Sequence, residues 1–223
     1  MRRQIIIGPD TEIIRVGGRP PRTVVLLLSI QIGLFLFYAF ADAPAWVRKH
    51  LVVSFSQTLG SLELWQPFTG LWIHLATRPL LVNALMLWVL GSTLERWWGG
   101  RRFLLFWTTT GVAGLFFGML VGVFAPNDII YGSGGTTMAM MVAFSVLFTN
   151  RLLFFYGLLP LKAKYLALIL IGFVVLGNLF AGAYMELAVF LGGGPAAFFF
   201  LFRRGRLVGR RSTKTGKGRQ HWN

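Results

Sequence analysis

The sequence has no cysteine, and only seven of its 223 residues are acidic. The lack of cysteine excludes disulfides, thiolate nucleophiles and thiolate-bound zinc. Charged residues make up 13% of the chain and hydrophobic residues 55%, which is more apolar surface than a soluble domain of this length could bury. The composition therefore indicates a polytopic membrane protein.

Six apolar segments are candidates for membrane-spanning helices, at residues 24–41, 78–93, 103–124, 134–148, 165–181 and 187–202. The fourth is roughly 21 Å long if it is helical from Gly134, which is less than the roughly 30 Å hydrocarbon layer. Its outer end should therefore lie below the membrane surface. We predict an all-α membrane protein with a six-helix domain over 23–204, a cytoplasmic tail at 1–22 and a basic, disordered tail at 205–223.

The connections between these segments differ in character. Residues 42–73 mix tryptophans with broken hydrophobicity, which is typical of short helices lying in the membrane interface. Residues 95–102 combine Glu95 with three arginines and two tryptophans, which predicts an interfacial anchor after the second span. Residues 150–164 are predicted to form a loop, and the sixth span is expected to be interrupted at its glycine-rich middle, Gly192–Pro195.

The basic residues divide unequally between the two sides of the membrane. The N-terminal tail holds five Lys or Arg, the 95–102 turn three, the 150–164 loop three and the residues after the sixth span, 203–223, eight, so 19 of the 22 lie on one side. The positive-inside rule then places both termini in the cytoplasm of a multi-pass protein, which we expect in a bacterial plasma membrane. We expect the basic tails to attract anionic lipid and the chain not to bind nucleic acid, because the charge flanks spans.

A polar stretch, Tyr131–Met138, opens the fourth span at membrane depth. Gly132, Ser133 and Gly135 lie at a helix start, where unpaired backbone N–H groups resemble an oxyanion hole. Asn83 could add an amide donor, and His74 falls on the same side of the membrane. These are parts of a hydrolytic site. The three histidines are scattered without ligand spacing, so we predict no metal site and no cofactor.

The segment Trp65–His74, Trp-Gln-Pro-Phe-Thr-Gly-Leu-Trp-Ile-His, resembles the first-loop signature of the rhomboid intramembrane serine proteases. Asn83, Glu95 and the Gly132–Gly135 stretch follow at the spacing of that family, and the resemblance covers roughly residues 20–204. It implies a rhomboid-like bundle of six transmembrane helices. It also implies a Ser-His dyad, with the serine opening the fourth helix and the histidine in the sixth.

Carried across, the serine position falls on Gly134 and the histidine position on Phe190. Neither residue can act as a nucleophile or as a general base. The second histidine of the second-span pattern is replaced by Pro79. Ser133 could be a displaced nucleophile with His74 as its base, or it could simply cap the fourth helix. We expect His74 and Asn83 to be structural, and Gly192, Gly193 and Gly194 to allow close packing of the sixth helix on the fourth.

We therefore predict a pseudoprotease that, by resemblance to inactive rhomboids and derlins, binds transmembrane helices of client proteins between its second and fifth spans without cleaving them. The alternative is an active serine endopeptidase that uses Ser133. A small channel or transporter is a weaker alternative, because the spans contain almost no ionisable residues. The sequence makes no prediction about oligomeric state.

Overall fold

A computed structural model of the chain describes residues 14–15, 19–40, 45–124, 128–149, 152–155 and 159–202. The basic tail at 205–223 and most of the N-terminal tail lie outside these residues. The described helices are α1 (Arg22–Phe40), α2 (Ala45–His50), α3 (Phe55–Gly60), α4 (Gln66–Gly70), α5 (Thr77–Met86), α6 (Ser92–Trp98), α7 (Gly100–Val121), α8 (Gly134–Leu147), α9 (Ala163–Phe180) and α10 (Tyr184–Phe202).

Five helical segments are long and apolar enough to cross a membrane: α1, the continuous helix Thr77–Trp98, Gly100–Phe124, α9 and α10. In the second of these, a π-helical turn at Leu87–Gly91 joins α5 to α6. The fourth predicted span is the shorter helix α8, whose 14 residues extend about 21 Å. The fold is therefore an all-α membrane bundle, as the sequence predicts, with one helix too short to reach both surfaces.

Helix α8 lies at the centre of the bundle, where it contacts α5, α7, α9 and α10. Buried aromatic side chains from α7 and α8, including Trp107 and Phe144, fill the core beside it. Helix α9 is packed quite differently, because only Ala163 and Ala167 are buried along its whole length. One wall of the bundle is therefore loosely attached to the rest.

The second span is longer than the sequence predicts and contains Glu95 within its last turn, ending at Gly99 with φ +82°. The Glu95 carboxylate is buried and accepts hydrogen bonds from the backbone N–H groups of Thr23 (3.1 Å) and Val24 (2.8 Å). It therefore caps the first turn of α1, where a negative charge also favours the helix dipole. This residue joins two spans, a role that the predicted interfacial anchor did not include.

The first loop, which connects α1 to α5, is held together by hydrogen bonds to the fully buried side chain of Gln66. Its amide nitrogen donates to Glu63 Oε2 (2.7 Å) and to the Lys49 carbonyl (3.1 Å), and its oxygen accepts from the Thr58 hydroxyl. Glu63 Oε1 in turn contacts His50 Nδ1 at 2.7 Å. Short helices α2–α4 agree with the predicted interfacial helices, and several apolar side chains on this loop are exposed: Leu62, Leu64, Trp65 and Phe68.

The region predicted as a loop at 150–164 contains two strands instead. Strands β2 (Leu152–Phe155) and β3 (Leu159–Lys162) pair antiparallel, and β1 (Ile14–Arg15) pairs parallel to β2. The loop prediction was wrong on two counts. Strands β2 and β3 form a local hairpin, and β2 also pairs with β1, more than 130 residues away, which no local pattern indicates. Strand β3 leads directly into α9.

Candidate functional site

The turn that leads into α8 is fixed by Gly132, whose φ is +88°. A Cβ at this position would lie 3.1 Å from His74 Nε2, so the histidine ring occupies the space that a side chain would need. The backbone N–H of Gly132 donates to the Gly70 carbonyl at 2.8 Å, and Val53 pairs with Ile130. The polar stretch is thus attached to the first loop through the loop backbone and through His74.

A chain of buried hydrogen bonds connects the residues that the sequence singled out. The Asn83 amide donates to His74 Nε2 (3.2 Å), and the Ser133 backbone N–H points to the same ring nitrogen (3.4 Å). On its other side, Asn83 Oδ1 accepts from the Thr137 hydroxyl at 2.8 Å. These four residues are each no more than 6% exposed. The donors converging on Nε2 require that atom to be the unprotonated acceptor of the ring.

The environment of His74 also keeps its ring neutral. Burial lowers the pKa of His74 to about 4. The ring is therefore uncharged at neutral pH. Its free lone pair is directed at the Asn83 amide and the Ser133 backbone.

Ser133 and Gly134 are neighbours in sequence but face different surroundings. Ser133 occupies the N-cap position of α8 without a side-chain capping hydrogen bond, and it is 3% exposed. Gly134 faces a cavity of about 160 Å³, which Phe190 also lines. The two positions that the resemblance assigns to nucleophile and base therefore meet in one cavity, as a glycine and a phenyl ring.

The glycines of α10 lie against the two neighbouring central helices. Gly193 approaches Gly135 so closely that an added Cβ would fall onto the Gly135 carbonyl, and Gly135 also lies against Gly114 of α7. Gly194 faces Met138 on α8, whereas Gly192 faces Phe117 on α7 rather than the fourth span. Helix α10 runs through these glycines without a break, so the predicted interruption was wrong.

The cavity lies between α5, α8, α9 and α10, and its lining has two parts. Polar side chains line it at Arg78, Tyr131, Asn178 and Glu186, and apolar side chains line it at Val82, Phe173, Val174 and Phe190. Helices α5 and α9 face each other across the cavity with almost no direct contact between them. The cavity therefore opens sideways, between the second and fifth spans.

Two functional residues were missed by sequence reasoning. Thr137 completes the hydrogen-bond chain through Asn83, and Gln66 holds the first loop together. Gln66 lies inside the Trp-Gln-Pro-Phe segment, so the motif could have drawn attention to it. Thr137 lies inside the polar stretch Tyr131–Met138, but its partner Asn83 is 54 residues away, so the stretch alone does not indicate this hydrogen bond.

The arrangement has chemical limits. Gly134 offers no hydroxyl and Phe190 no nitrogen, so the cavity itself contains neither a nucleophile nor a base at these positions. Within the described ranges, no group of three or more His, Cys, Asp or Glu side chains could hold a metal ion. What the site does provide is a laterally open, mostly apolar cavity with a polar rim.

Comparisons with known proteins agree on one family. Residues 61–202 match the family model of the Rhomboid domain. The chain is 27% identical over 187 residues to "Rhomboid protease GluP" of Bacillus subtilis, covering 82% of this chain and 34% of that protein. It is 26% identical over 196 residues to "RHOMBOID-like protein 1" of Arabidopsis thaliana, covering 82% of this chain and 48% of that one.

This chain spans less than half the length of these two curated relatives. The matched region nevertheless extends from the first loop through α10, which includes the cavity and both ends of the hydrogen-bond chain. Together with its apolar helices, the match identifies an integral, multi-pass membrane protein. The chain belongs to the rhomboid family.

Proposed function

We propose that this protein is a rhomboid pseudoprotease, which binds single transmembrane helices of client proteins in the cavity between α5 and α9 and does not cleave them. The observation that carries the proposal is the pair Gly134 and Phe190 in one cavity. Serine-type hydrolysis requires an activated alcohol, and these positions supply hydrogen and a phenyl ring where the family has serine and histidine.

Helix binding is supported by the shape of the same cavity. It opens sideways toward the membrane, and Val82, Phe173 and Val174 line it with apolar surface suited to another helix. The exposed side chains of α9, including Phe173 at 74%, continue this surface outward. A second helix can therefore pack here through van der Waals contacts, the main source of association between helices in lipid.

The second candidate is a serine endopeptidase that uses Ser133 with His74. Its supporting observation is the proximity of the Ser133 backbone to His74 Nε2. Two observations disfavour this candidate. His74 Nε2 already faces two hydrogen-bond donors, and the cavity is lined by Gly134 and not by Ser133. A base whose lone pair is directed elsewhere cannot take a hydroxyl proton without rearrangement.

The experiment is labelling of purified protein with a fluorophosphonate probe, alongside cleavage assays on rhomboid substrates. We expect no labelling and no cleavage, because no activated serine is present. Ser133→Ala is the matched control. Labelling of the natural chain that disappears in Ser133→Ala would overturn the pseudoprotease and establish the second candidate.

Helix binding needs its own measurement, and the cysteine-free sequence allows one. A cysteine introduced at Val82 in the cavity should form a disulfide with a cysteine in a synthetic single-span helix reconstituted with the protein. A cysteine at Leu36, which is 45% exposed and four residues from the end of α1, is the control. Equal cross-linking at both positions would contradict a binding site between α5 and α9.

A further inference from the structure

The opening between α5 and α9 is crossed by one long side chain. The side chain of Arg78 extends from α5 toward α9. Its Nη2 atom lies 3.0 Å from the position that a Cβ on Gly177 of α9 would occupy. The guanidinium therefore rests on bare backbone of the opposite helix. Any side chain at residue 177 would compete for that space. Arg78 lines the cavity, and so does Asn178, the residue after Gly177 on α9.

This contact matters because little else joins the two helices. Helices α5 and α9 make almost no direct contact, and α9 buries only two residues. Asn178 is turned toward its own helix, with its amide donating to the Val174 carbonyl at 2.9 Å. Arg78 therefore provides the bridge between the walls of the lateral opening.

The charge of Arg78 is exposed at the edge of the cavity. Among the described residues, no carboxylate lies within ion-pair distance of it. Glu186 of α10 lines the same cavity and attracts Arg78 electrostatically across it, without an ion-pair contact. An exposed arginine without an ion pair, placed at the edge of a membrane cavity, is well suited to bind a planar anion with two parallel hydrogen bonds.

We propose that Arg78 selects client helices that carry a carboxylate near their outer end. In the free protein Arg78 bridges α5 and α9; on binding, it leaves Gly177 and pairs with an Asp or Glu side chain of the client, which opens the lateral cleft. This inference rests on the proposed function, since it assumes that the cleft receives a helix. A carboxylate at the membrane edge gains most from such a pair, because it is poorly solvated there.

The binding test uses three synthetic leucine-rich transmembrane helices that differ at one residue near the outer end, Asp, Asn or Lys. Binding is measured by energy transfer in phosphatidylcholine nanodiscs, so the lipid phosphate is the same throughout. We expect the Asp helix to bind roughly tenfold more tightly than the Asn helix, the usual scale for a charged hydrogen bond. The preference should vanish in Arg78→Gln and persist in part in Arg78→Lys.

The outcomes separate the two proposals. Equal affinity of the Asp and Asn helices for the natural chain would overturn the role of Arg78 and leave helix binding intact. If none of the three helices binds, the proposed function fails as well. Loss of binding to all three helices in Arg78→Gln, with Arg78→Lys normal, would also count against selection, because it would show a bridge needed for any client.

The opening test uses spin labels at Leu85→Cys on α5 and Leu176→Cys on α9, both on exposed side chains. Gly177→Val places a side chain where the guanidinium rests, so the distance between the labels should lengthen or broaden. Gly172→Val is the matched control, since a Cβ there would meet nothing within 4 Å. Identical distance distributions in the two variants would contradict the bridge.

Discussion

At the scale of single residues, one step along the chain separates two very different positions. Ser133 has its backbone bonded to His74, while Gly134 faces the cavity beside Phe190. The motif in the sequence predicts Gly134 and Phe190 as the site positions, and both line the same cavity. It could not show which atoms His74 bonds, because His74, Asn83 and Ser133 come from three segments of the chain that meet only in the folded bundle.

The neutral state of His74 makes stability depend on pH. Burial lowers its pKa from 6.5 to about 4. Between these two pH values the histidine is protonated in the unfolded chain but stays neutral in the folded protein. The folded state should keep its full stability above pH 6.5 and lose up to about 3 kcal/mol as the pH falls to 4.

Thermal unfolding in detergent between pH 4 and 8 measures this effect. His74→Gln keeps a hydrogen-bond acceptor for the Ser133 N–H but does not titrate, so the gap between the natural chain and the variant should narrow as the pH falls. Carboxyl groups contribute equally to both curves and cancel in the difference. Parallel curves over this range would show that His74 is not buried as a neutral ring.

At the scale of helices, the bundle has one tight and one loose side. Glycines bring α7, α8 and α10 into backbone contact, whereas α9 is held by few buried side chains. The sequence predicted the tight side from Gly192–Gly194, because runs of small residues in a span indicate close packing. It could not predict that α9 buries only two residues, because α9 is as apolar as its neighbours. Its poor packing comes from the cavity that separates it from α5.

The close contact between α10 and α8 at Gly193 leaves no room for a side chain at this position. In Gly193→Ala the new Cβ would fall onto the Gly135 carbonyl, so α8 and α10 must separate at a cost of about 3 kcal/mol, the upper end for overpacking. Gly172→Ala on α9 introduces the same methyl group into open space. Thermal unfolding should show a large loss for the first variant and little change for the second; similar losses would contradict the packing.

At the scale of the whole molecule, charge divides the protein into two ends. Arg96, Arg101, Lys162 and Lys164 lie at one end of the helices, whereas Arg48, Lys49 and Arg78 share the other end with Glu63 and Glu186. The sequence predicted this division and most helix boundaries, because apolar length and flanking charge are local signals. The local β2–β3 hairpin and the extension of the second span to Trp98 were not predicted, and Glu95 in that extension bonds to the distant start of α1.

We expect the basic end to face the cytoplasm. Since the chain has no cysteine, single cysteines report its orientation directly. Ser61→Cys on the first loop should react with a membrane-impermeant maleimide in intact cells, and Arg101→Cys should react only after permeabilisation. Both positions are exposed. The reverse pattern would invert the topology and place the cavity on the cytoplasmic side.

The surroundings of Gly134 and Phe190 also determine whether a serine and a histidine could be placed at these two positions. A Cβ at Gly134 would meet only Val189 at 3.9 Å, so a hydroxymethyl group would enter without displacing anything. Phe190 is 2% exposed, and an imidazole there would be smaller and would bring two nitrogens that need partners. A serine side chain is thus accommodated at residue 134, whereas an imidazole at residue 190 would leave ring nitrogens without partners, so we expect the double variant Gly134→Ser, Phe190→His to need further changes around α10.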